Sequence, residues 1–323
     1  WRLLASAQIE AGQTAEAVAS LGKCLELDPR DSSAAFSFGI LLRNQGNLEQ
    51  AIAFFQRALQ NSNHTTACVI AANLAEVLGD TGQKIEAIKV LNEVLKHFPD
   101  FTEGWNNLGT LYLGLDRFDE ATAAYKKCRA LSPDNMIVAN NLAAAFLKSG
   151  HPEKSLALYQ KNLTTWPDQA DTLSGLGNVL VSLESFDDAI EAYTSAIELS
   201  PENLDALHGR AVANHRRASM FGGTEYYSAA LKDYHTVATL DPMHLHAHQN
   251  MGLLLQLLDE HEKAITAFRR VLQADPRYLA AYSSMAHSLQ HCCQWENLDA
   301  TIDRVVALTR EEMDSGNDIT ASP

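Results

Sequence analysis

Small residues recur along this chain at the spacing expected of paired helices. Within each period of about 34 residues, one small residue is followed twelve positions later by a second. The pairs are Ala5/Ala17, Gly39/Ala51, Ala75/Ala87, Gly109/Ala121, Ala143/Ser155, Gly177/Ala189 and Gly252/Ala264. Small side chains at matched positions let two antiparallel helices approach closely, because the packing distance depends on the residues at the contact. The pattern therefore predicts one helical hairpin per period.

Proline gives the length of the period independently. One run of prolines is evenly spaced, and its members are Pro99, Pro133, Pro167 and Pro201. The same interval separates Pro242 from Pro276. The interval from Pro29 to Pro99 is two periods plus two residues, and that from Pro201 to Pro242 is one period plus seven. We therefore expect a continuous tandem repeat with two local insertions.

Larger residues complete the pattern. One period reads Trp105, Leu108, Gly109, Tyr112, Ala121, Tyr125 and Pro133. This order resembles the tetratricopeptide repeat, which implies an all-α fold, a right-handed superhelix of about nine helix-turn-helix repeats. The first helices are expected at 1–11, 32–44, 68–80, 102–114, 136–148, 170–182, 204–217, 245–257 and 279–291. We expect one elongated solenoid over residues 1–308, with repeats starting at 1, 32, 68, 102, 136, 170, 204, 245 and 279, and a polar tail or linker over 309–323.

Composition and charge narrow the class of protein. The chain has 46% hydrophobic and 20% charged residues, which suits a folded protein. Its net charge of −15, from 40 acidic and 25 basic residues, argues against nucleic acid or an anionic membrane as the main partner. It contains neither a signal region nor a run of about eighteen apolar residues, so we expect a soluble protein. Since the chain starts at Trp1 without an initiator Met, we expect it to be part of a longer protein.

A row of asparagines on the predicted first helices is the main candidate site. Four of them lie one residue before the position of the core Leu, which Met251 occupies in the eighth repeat: Asn73, Asn107, Asn141 and Asn250. The same position holds Ser37, Gly175, Gly209 and Ser284 in other repeats, and three more asparagines lie nearby: Asn106, Asn140 and Asn178. An Asn amide offers donors and an acceptor, so it can pair with both polar groups of one peptide unit. We predict that this row binds extended polypeptide on the concave face; the alternative is that Asn is only tolerated on a solvated helix surface.

A second mode of peptide binding is disfavoured. The clamp with which some chaperone adaptors hold a C-terminal carboxylate needs Lys and Arg on the concave face. The corresponding positions of this chain hold Glu103, Ile137, Asp171 and Asp205.

Histidines are concentrated toward the C-terminal end. Five map to inward-facing positions, namely His208, His215, His246, His287 and His291, and His244 and His248 lie near them. His287 and His291 are one helical turn apart, a spacing that can chelate a metal ion. Because no carboxylate completes a ligand motif, we predict solvated or hydrogen-bonded histidines and no metal, with a metal-responsive module as an alternative.

The cysteines and the glycosylation sequons do not indicate a functional site. Cys24 and Cys128 fall at small core positions, and Cys292 and Cys293 fall at a turn, so we expect free thiols in a reducing compartment, cytoplasmic or nuclear. Sequons begin at Asn63 and Asn162, but the position of Asn162 faces the interior of a helix pair, where a glycan would unfold the repeat.

The seventh repeat contains seven extra residues. Its two small residues, Ala211 and Ala230, are 19 apart where the other pairs are 12 apart. We expect residues 216–228 to form a longer turn. Its aromatic side chains Phe221, Tyr226 and Tyr227 then either stand on a flexible loop or fold back over a neighbouring helix end.

The C-terminal segment carries a second resemblance. Leu289-Gln290-His291-Cys292-Cys293-Gln294-Trp295 opens a degenerate last repeat. It is similar to the junction in O-linked N-acetylglucosamine transferases and Spindly fucosyltransferases, where a Leu-Gln…Cys-Asp-Trp stretch precedes the catalytic domain. Gln294 departs from that pattern, which usually has an acid there.

The resemblance implies an enzyme that transfers a sugar from a nucleotide-sugar donor to Ser or Thr of proteins. It implies that Asn73, Asn107, Asn141 and Asn250 hold the substrate backbone, and that the protein dimerises through its convex face. The chain itself has no Gly-rich phosphate loop and no nucleophile elbow, so we predict that it is not catalytic and takes no cofactor. The competing hypothesis is a stand-alone repeat scaffold that assembles a multiprotein complex.

Overall fold

The structure, a computed structural model, describes residues 1–314, apart from the side chains of residues 64, 65, 312 and 314. These residues form eighteen α-helices and no strand. Successive helices are joined in nine hairpins. The expected all-α fold and the number of repeats are confirmed.

The described helices group into two compact units, residues 1–158 and residues 159–314. Unit 1 contains nine complete helices and the start of a tenth: α1 (Arg2–Glu10), α2 (Thr14–Leu27), α3 (Ser32–Asn44), α4 (Leu48–Gln60), α5 (His64–Asp80), α6 (Lys84–His97), α7 (Thr102–Leu113), α8 (Phe118–Leu131), α9 (Met136–Lys148) and α10 (Pro152–Thr165). Unit 2 contains the end of α10 and eight further helices: α11 (Ala170–Ser182), α12 (Phe186–Leu199), α13 (Leu204–Phe221), α14 (Thr224–Leu240), α15 (Leu245–Leu257), α16 (His261–Ala274), α17 (Leu279–His291) and α18 (Trp295–Asp314).

Several first helices begin at a side-chain cap. In these helices the N-cap side chain accepts the backbone N–H three residues later, which satisfies one of the free donors at a helix start. The caps are Asp31, Asn63, Asn135, Asn203 and His244. Local sequence therefore fixes where these hairpins start.

The matched small residues pack as predicted. Both members of all seven pairs are buried. In four hairpins the first residue is a glycine that faces an aromatic ring of the second helix; a Cβ on Gly109, for example, would lie 2.7 Å from the ring of Tyr125. The absence of a side chain at these glycines is therefore what lets the ring lie between the two helices.

The insertion in the seventh repeat lengthens its helices instead of forming a loop. α13 continues to Phe221 and α14 begins at Thr224, so the expected turn over 216–228 is wrong. Helix formation continues because no glycine or proline lies between Gly209 and Gly222, and the helix ends at Gly222 and Gly223, whose φ values are 80° and 104°. The aromatic side chains contact neighbouring helices, which favours the alternative that they fold back. The guanidinium carbon of Arg217 lies 3.7 Å from the centroid of the Tyr226 ring, and Phe221 packs edge-on against Phe186 of α12.

Two other boundaries differ from expectation. α5 begins at His64, four residues before the expected start at 68. α18 runs to Asp314, so the first six residues of the predicted tail over 309–323 are helical. The rest of that tail, residues 315–323, lies outside the described residues.

Candidate functional site

The odd-numbered helices are the first helices of the hairpins, and within each unit neighbouring ones lie side by side. Contacts join α5 to α7 in unit 1, and α11 to α13, α13 to α15 and α15 to α17 in unit 2. We call the surface that these helices share within each unit the first-helix face. All seven predicted asparagines lie on first helices.

In unit 1, most of these amides are already engaged by the protein. Asn73 accepts a hydrogen bond from Arg43 at 3.1 Å and donates to the carbonyl of Val69 at 2.9 Å. Asn141 of α9 donates to Asn106 of α7 at 3.0 Å, so two successive repeats are linked directly. Asn140 beside it is half-buried.

Asn107 differs from the other asparagines of unit 1. Among the described residues its side chain makes no hydrogen bond, and it lines a cleft of about 480 Å³ between α5 and α7. The lining of the cleft also includes Gly79, Asp80, Glu103 and Leu111. An amide without an intramolecular partner is thus available to a ligand in this cleft.

In unit 2, the asparagines bond to rings. Asn250 of α15 meets Nε2 of His208 of α13 at 3.2 Å and also bonds Tyr234. Asn178 is exposed and accepts a hydrogen bond from Tyr193 at 2.7 Å. The structure therefore orients both amides, and their part in binding stays a prediction.

A steric cause explains two of the repeats that lack Asn in this row. Gly175 and Gly209 hold the same position, and each faces a tyrosine of the preceding second helix. A Cβ would lie 2.5 Å from the hydroxyl of Tyr159 at Gly175, and 2.4 Å from the ring of Tyr193 at Gly209. An asparagine cannot fit at either position without moving the tyrosine.

A cluster of three histidines forms where the sequence analysis identified two. The ring of His261, the first residue of α16, stacks on His291 at 4.1 Å between centroids and meets His287 at 5.9 Å. Both ring nitrogens of His261 are buried without a hydrogen-bond partner. Burial and the two neighbouring histidines lower its pKa, so the ring is neutral. Nothing in the sequence marks His261, since it lies on the preceding helix and far from His287 along the chain.

One of the three ring pairs in this cluster, His261 with His291, is stacked, and the other two pairs pack edge-on. Among residues 1–314, no group of three His, Cys, Asp or Glu side chains is arranged to hold a metal ion. The metal-responsive alternative therefore gains no support from the described geometry.

His248 occupies the register that Trp105 holds in its own repeat. The indole of Trp105 donates to the carbonyl of Pro99 at 2.8 Å, and Nε2 of His248 lies 3.1 Å from the carbonyl of Pro242. Tyr282 donates in the same way to Pro276 at 3.3 Å. Three different donors thus tie a first helix to the turn before it, a role that the sequence analysis missed because the residue types differ.

Cys128 and Asn162 lie in the interior, as the sequence predicts, whereas Cys24 is only half-buried. All five cysteines are free, and burial raises the pKa of the Cys128 thiol to about 11, which keeps it protonated. Asn162 is buried, in agreement with the prediction that it faces the interior. No helix over residues 1–314 has the length and apolar character that crossing a bilayer requires.

Family models identify the repeat. Models described as tetratricopeptide repeat match residues 2–64, 102–135 and 245–278, and a model described as TPR repeat matches residues 177–217. The chain therefore carries tetratricopeptide repeats, as the helical hairpins and their small-residue pairs indicated.

Similar proteins share these repeats over different lengths. Protein O-mannosyl-transferase Tmtc3 of Drosophila melanogaster is 28% identical over 43% of this chain and 15% of its own length. The BBSome complex member BBS4 of Bos taurus is 23% identical over 86% of this chain and 58% of its own. The crystal structure of yeast Tom70 is similar with a TM-score of 0.66 at 17% identity, covering 88% of this chain and 59% of that one. The chain thus spans from about a seventh to less than two thirds of these proteins.

Proposed function

We propose that this chain is a protein-binding scaffold whose first-helix face holds an extended segment of a partner protein. The observation that carries the proposal is the cleft between α5 and α7, where Asn107 offers an amide that no described residue engages. Both polar groups of one guest peptide unit can pair with that amide, so the contact depends on backbone and not on side-chain identity.

The surroundings of Asn107 favour a guest that donates hydrogen bonds. Asp80 and Glu103 line the cleft, and neither forms an ion pair with a described residue. Lys84 is held at the other side, where its ammonium donates to the carbonyl of Gly114 at 2.7 Å. Peptide N–H groups, or a basic side chain, therefore meet free carboxylates at this cleft.

The Asn106–Asn141 pair extends the polar surface next to the cleft. Each amide uses only part of its capacity in that pair, because an amide has two donor hydrogens and an acceptor with two lone pairs. The remaining groups are held in a fixed orientation, which lowers the entropy lost when a guest binds. The predicted row is thus best supported in unit 1, from Asn106 to Asn141 around Asn107.

Similarity to BBS4 supports a scaffold over an enzyme. That match covers 86% of this chain, and the matched protein is a member of a multiprotein complex. The match to the O-mannosyl-transferase covers 43% of this chain. We therefore propose partners that are protein segments, and a cytoplasmic or nuclear location stays a prediction.

Binding of a proteome-derived peptide library to the wild type and to Asn107→Ala tests this function. We expect broad, weak binding that falls at least about tenfold in the variant, since a buried guest amide then loses its partner. Asn297→Ala on α18 is the matched control and should bind as the wild type does. If Asn107→Ala binds the library as strongly as the wild type does, the first-helix face is not the binding surface.

A second candidate function rests on the match to a protein O-mannosyl-transferase and on the segment Leu289–Trp295. In this version the repeats select substrates for a protein O-glycosyltransferase of the O-linked N-acetylglucosamine or O-fucose type. A full-length transcript that encodes a transferase domain beyond residue 323, together with glycosylated Ser or Thr in the bound peptides, would favour it. A transcript that ends without such a domain would favour the protein-binding scaffold.

A further inference from the structure

A second groove lies in unit 2 between two second helices, whereas the cleft around Asn107 lies between two first helices. It has a volume of about 460 Å³, its walls come from α14 and α16, and its floor comes from α15. Leu231, Met251, Leu255 and Ala267 supply apolar lining. We call it the outer groove; it shares no residue with the cleft around Asn107.

The charge of the outer groove is opposite to that of the protein. The chain carries a net charge of −15, yet the residues that line this groove include Lys263 and Arg270 and no Asp or Glu. Arg270 is exposed, has no ion-pair partner in residues 1–314, and donates only to the neutral side chain of Gln273 at 3.0 Å. Lys263 is paired with Glu260. Arg270 is therefore the cation that remains available to a ligand.

Small side chains keep the groove open. Ala238 and Ala267 face it from the two walls, and His248 lies at its floor in the register where Trp105 places a larger indole. An apolar depression next to an unneutralised guanidinium is suited to a bulky hydrophobic side chain that is followed or preceded by a carboxylate.

We propose that the outer groove docks a short peptide segment of a partner protein in which one aromatic or large aliphatic side chain is flanked by Asp or Glu. The hydrophobic side chain enters between α14 and α16, and the carboxylate pairs with Arg270. This contact is independent of the first-helix face, so one chain holds two partner segments at once.

Fluorescence anisotropy with two labelled peptides tests the proposal. One peptide is Glu-Glu-Leu-Trp-Glu-Glu, and the other replaces every Glu with Lys. We expect the acidic peptide to bind, the basic peptide to bind at least about tenfold more weakly, and the affinity of the acidic peptide to fall with added salt.

Two variants and one control assign the site. Arg270→Glu reverses the charge, and Thr266→Trp fills the groove from an exposed position of α16; each should weaken binding of the acidic peptide at least about tenfold. Arg269→Glu makes the same charge change on the same helix outside the lining of the groove and should bind as the wild type does. Circular dichroism confirms that each variant is folded.

Three results would overturn the proposal. They are failure of the acidic peptide to bind the wild type, equal weakening by Arg269→Glu and Arg270→Glu, and full binding by Thr266→Trp. Loss of binding in Asn107→Ala with no effect of the groove variants would instead assign the peptide to the first-helix face.

Discussion

One residue in the turn of most hairpins adopts the left-handed conformation. Glycine holds this place at Gly12, Gly46, Gly82 and Gly150, with φ between 72° and 79°. Four other hairpins have a residue with a side chain there: Asp116, Glu184, Asp259 and Cys293, with φ between 55° and 60°. The steric cost of a Cβ in this region is about 1 kcal/mol, so these four positions reduce the stability of the fold.

We predict that Asp116→Gly stabilises the protein. The change relieves the strain at φ 56° and removes no hydrogen bond or ion pair of that side chain, so the free energy of unfolding should rise by up to about 1 kcal/mol. The midpoint of urea denaturation measures it. Gly150→Ala is the reverse control: space around Gly150 is open, so only conformational strain should lower the midpoint. An unchanged midpoint in both variants would show that the turn does not limit stability.

At the scale of the hairpin, two positions vary together. Glycine on the first helix faces Phe or Tyr on the second in the pairs Gly39/Phe55, Gly109/Tyr125, Gly177/Tyr193 and Gly252/Phe268. In two hairpins whose first helix has alanine, Ala5/Leu21 and Ala75/Leu91, the second supplies a buried leucine, whereas Ala143 and Ala211 are matched by the buried tyrosines Tyr159 and Tyr234. The summed volume at the contact is therefore similar in the glycine–aromatic and alanine–leucine hairpins, although the residues differ.

We predict that Gly109→Ala lowers stability and that a second change restores much of it. The new methyl group would lie 2.7 Å from the ring of Tyr125, at a cost of about 1–3 kcal/mol. Gly109→Ala with Tyr125→Leu recreates the Ala75/Leu91 combination, so the double variant should be more stable than the sum of the single changes implies. Denaturation of all four proteins gives the coupling energy. Simple additivity would contradict the volume argument.

The hairpins themselves were predictable because their signals are local. Spacing of small residues located α7, α9, α11 and α15 to within a residue, since each pair must meet across one contact. The extension of α13 could not be predicted from this spacing, because a loop and a longer helix are both compatible with it. The choice between them depends on Gly222 and Gly223. The candidate site was predictable only as a set of positions: whether Asn107 or Asn73 is available depends on Arg43, which lies 30 residues from Asn73 in the sequence.

Across the whole chain, the described histidines whose pKa is lowered by burial lie in unit 2. Burial lowers the pKa of His208 to about 4, with smaller contributions from His244 and His246, and burial also lowers the pKa of His215, His248 and His261. Among the described side chains of unit 1, the histidines are His97 and His151, and both are exposed. A response to mild acid should therefore differ between the units.

We predict that unit 2 loses more stability than unit 1 between pH 6.5 and 5. A histidine whose pKa is lowered by folding binds a proton more readily in the unfolded chain, so unfolding gains protons as the pH falls below 6.5. For His208 the loss should be on the order of 2 kcal/mol, allowing for its partial exposure to solvent. Hydrogen exchange at pH 7 and pH 5, corrected for intrinsic rates, measures it segment by segment.

The variant His208→Gln connects this acid response to a single ring. Glutamine keeps an acceptor for Asn250 but does not titrate, so α13 and α15 should lose less protection at pH 5 than in the wild type. His97→Gln in unit 1 is the matched control and should leave the profile unchanged. An equal loss of protection in both units, or a wild-type response in His208→Gln, would show that the buried histidines do not set the acid stability of the protein.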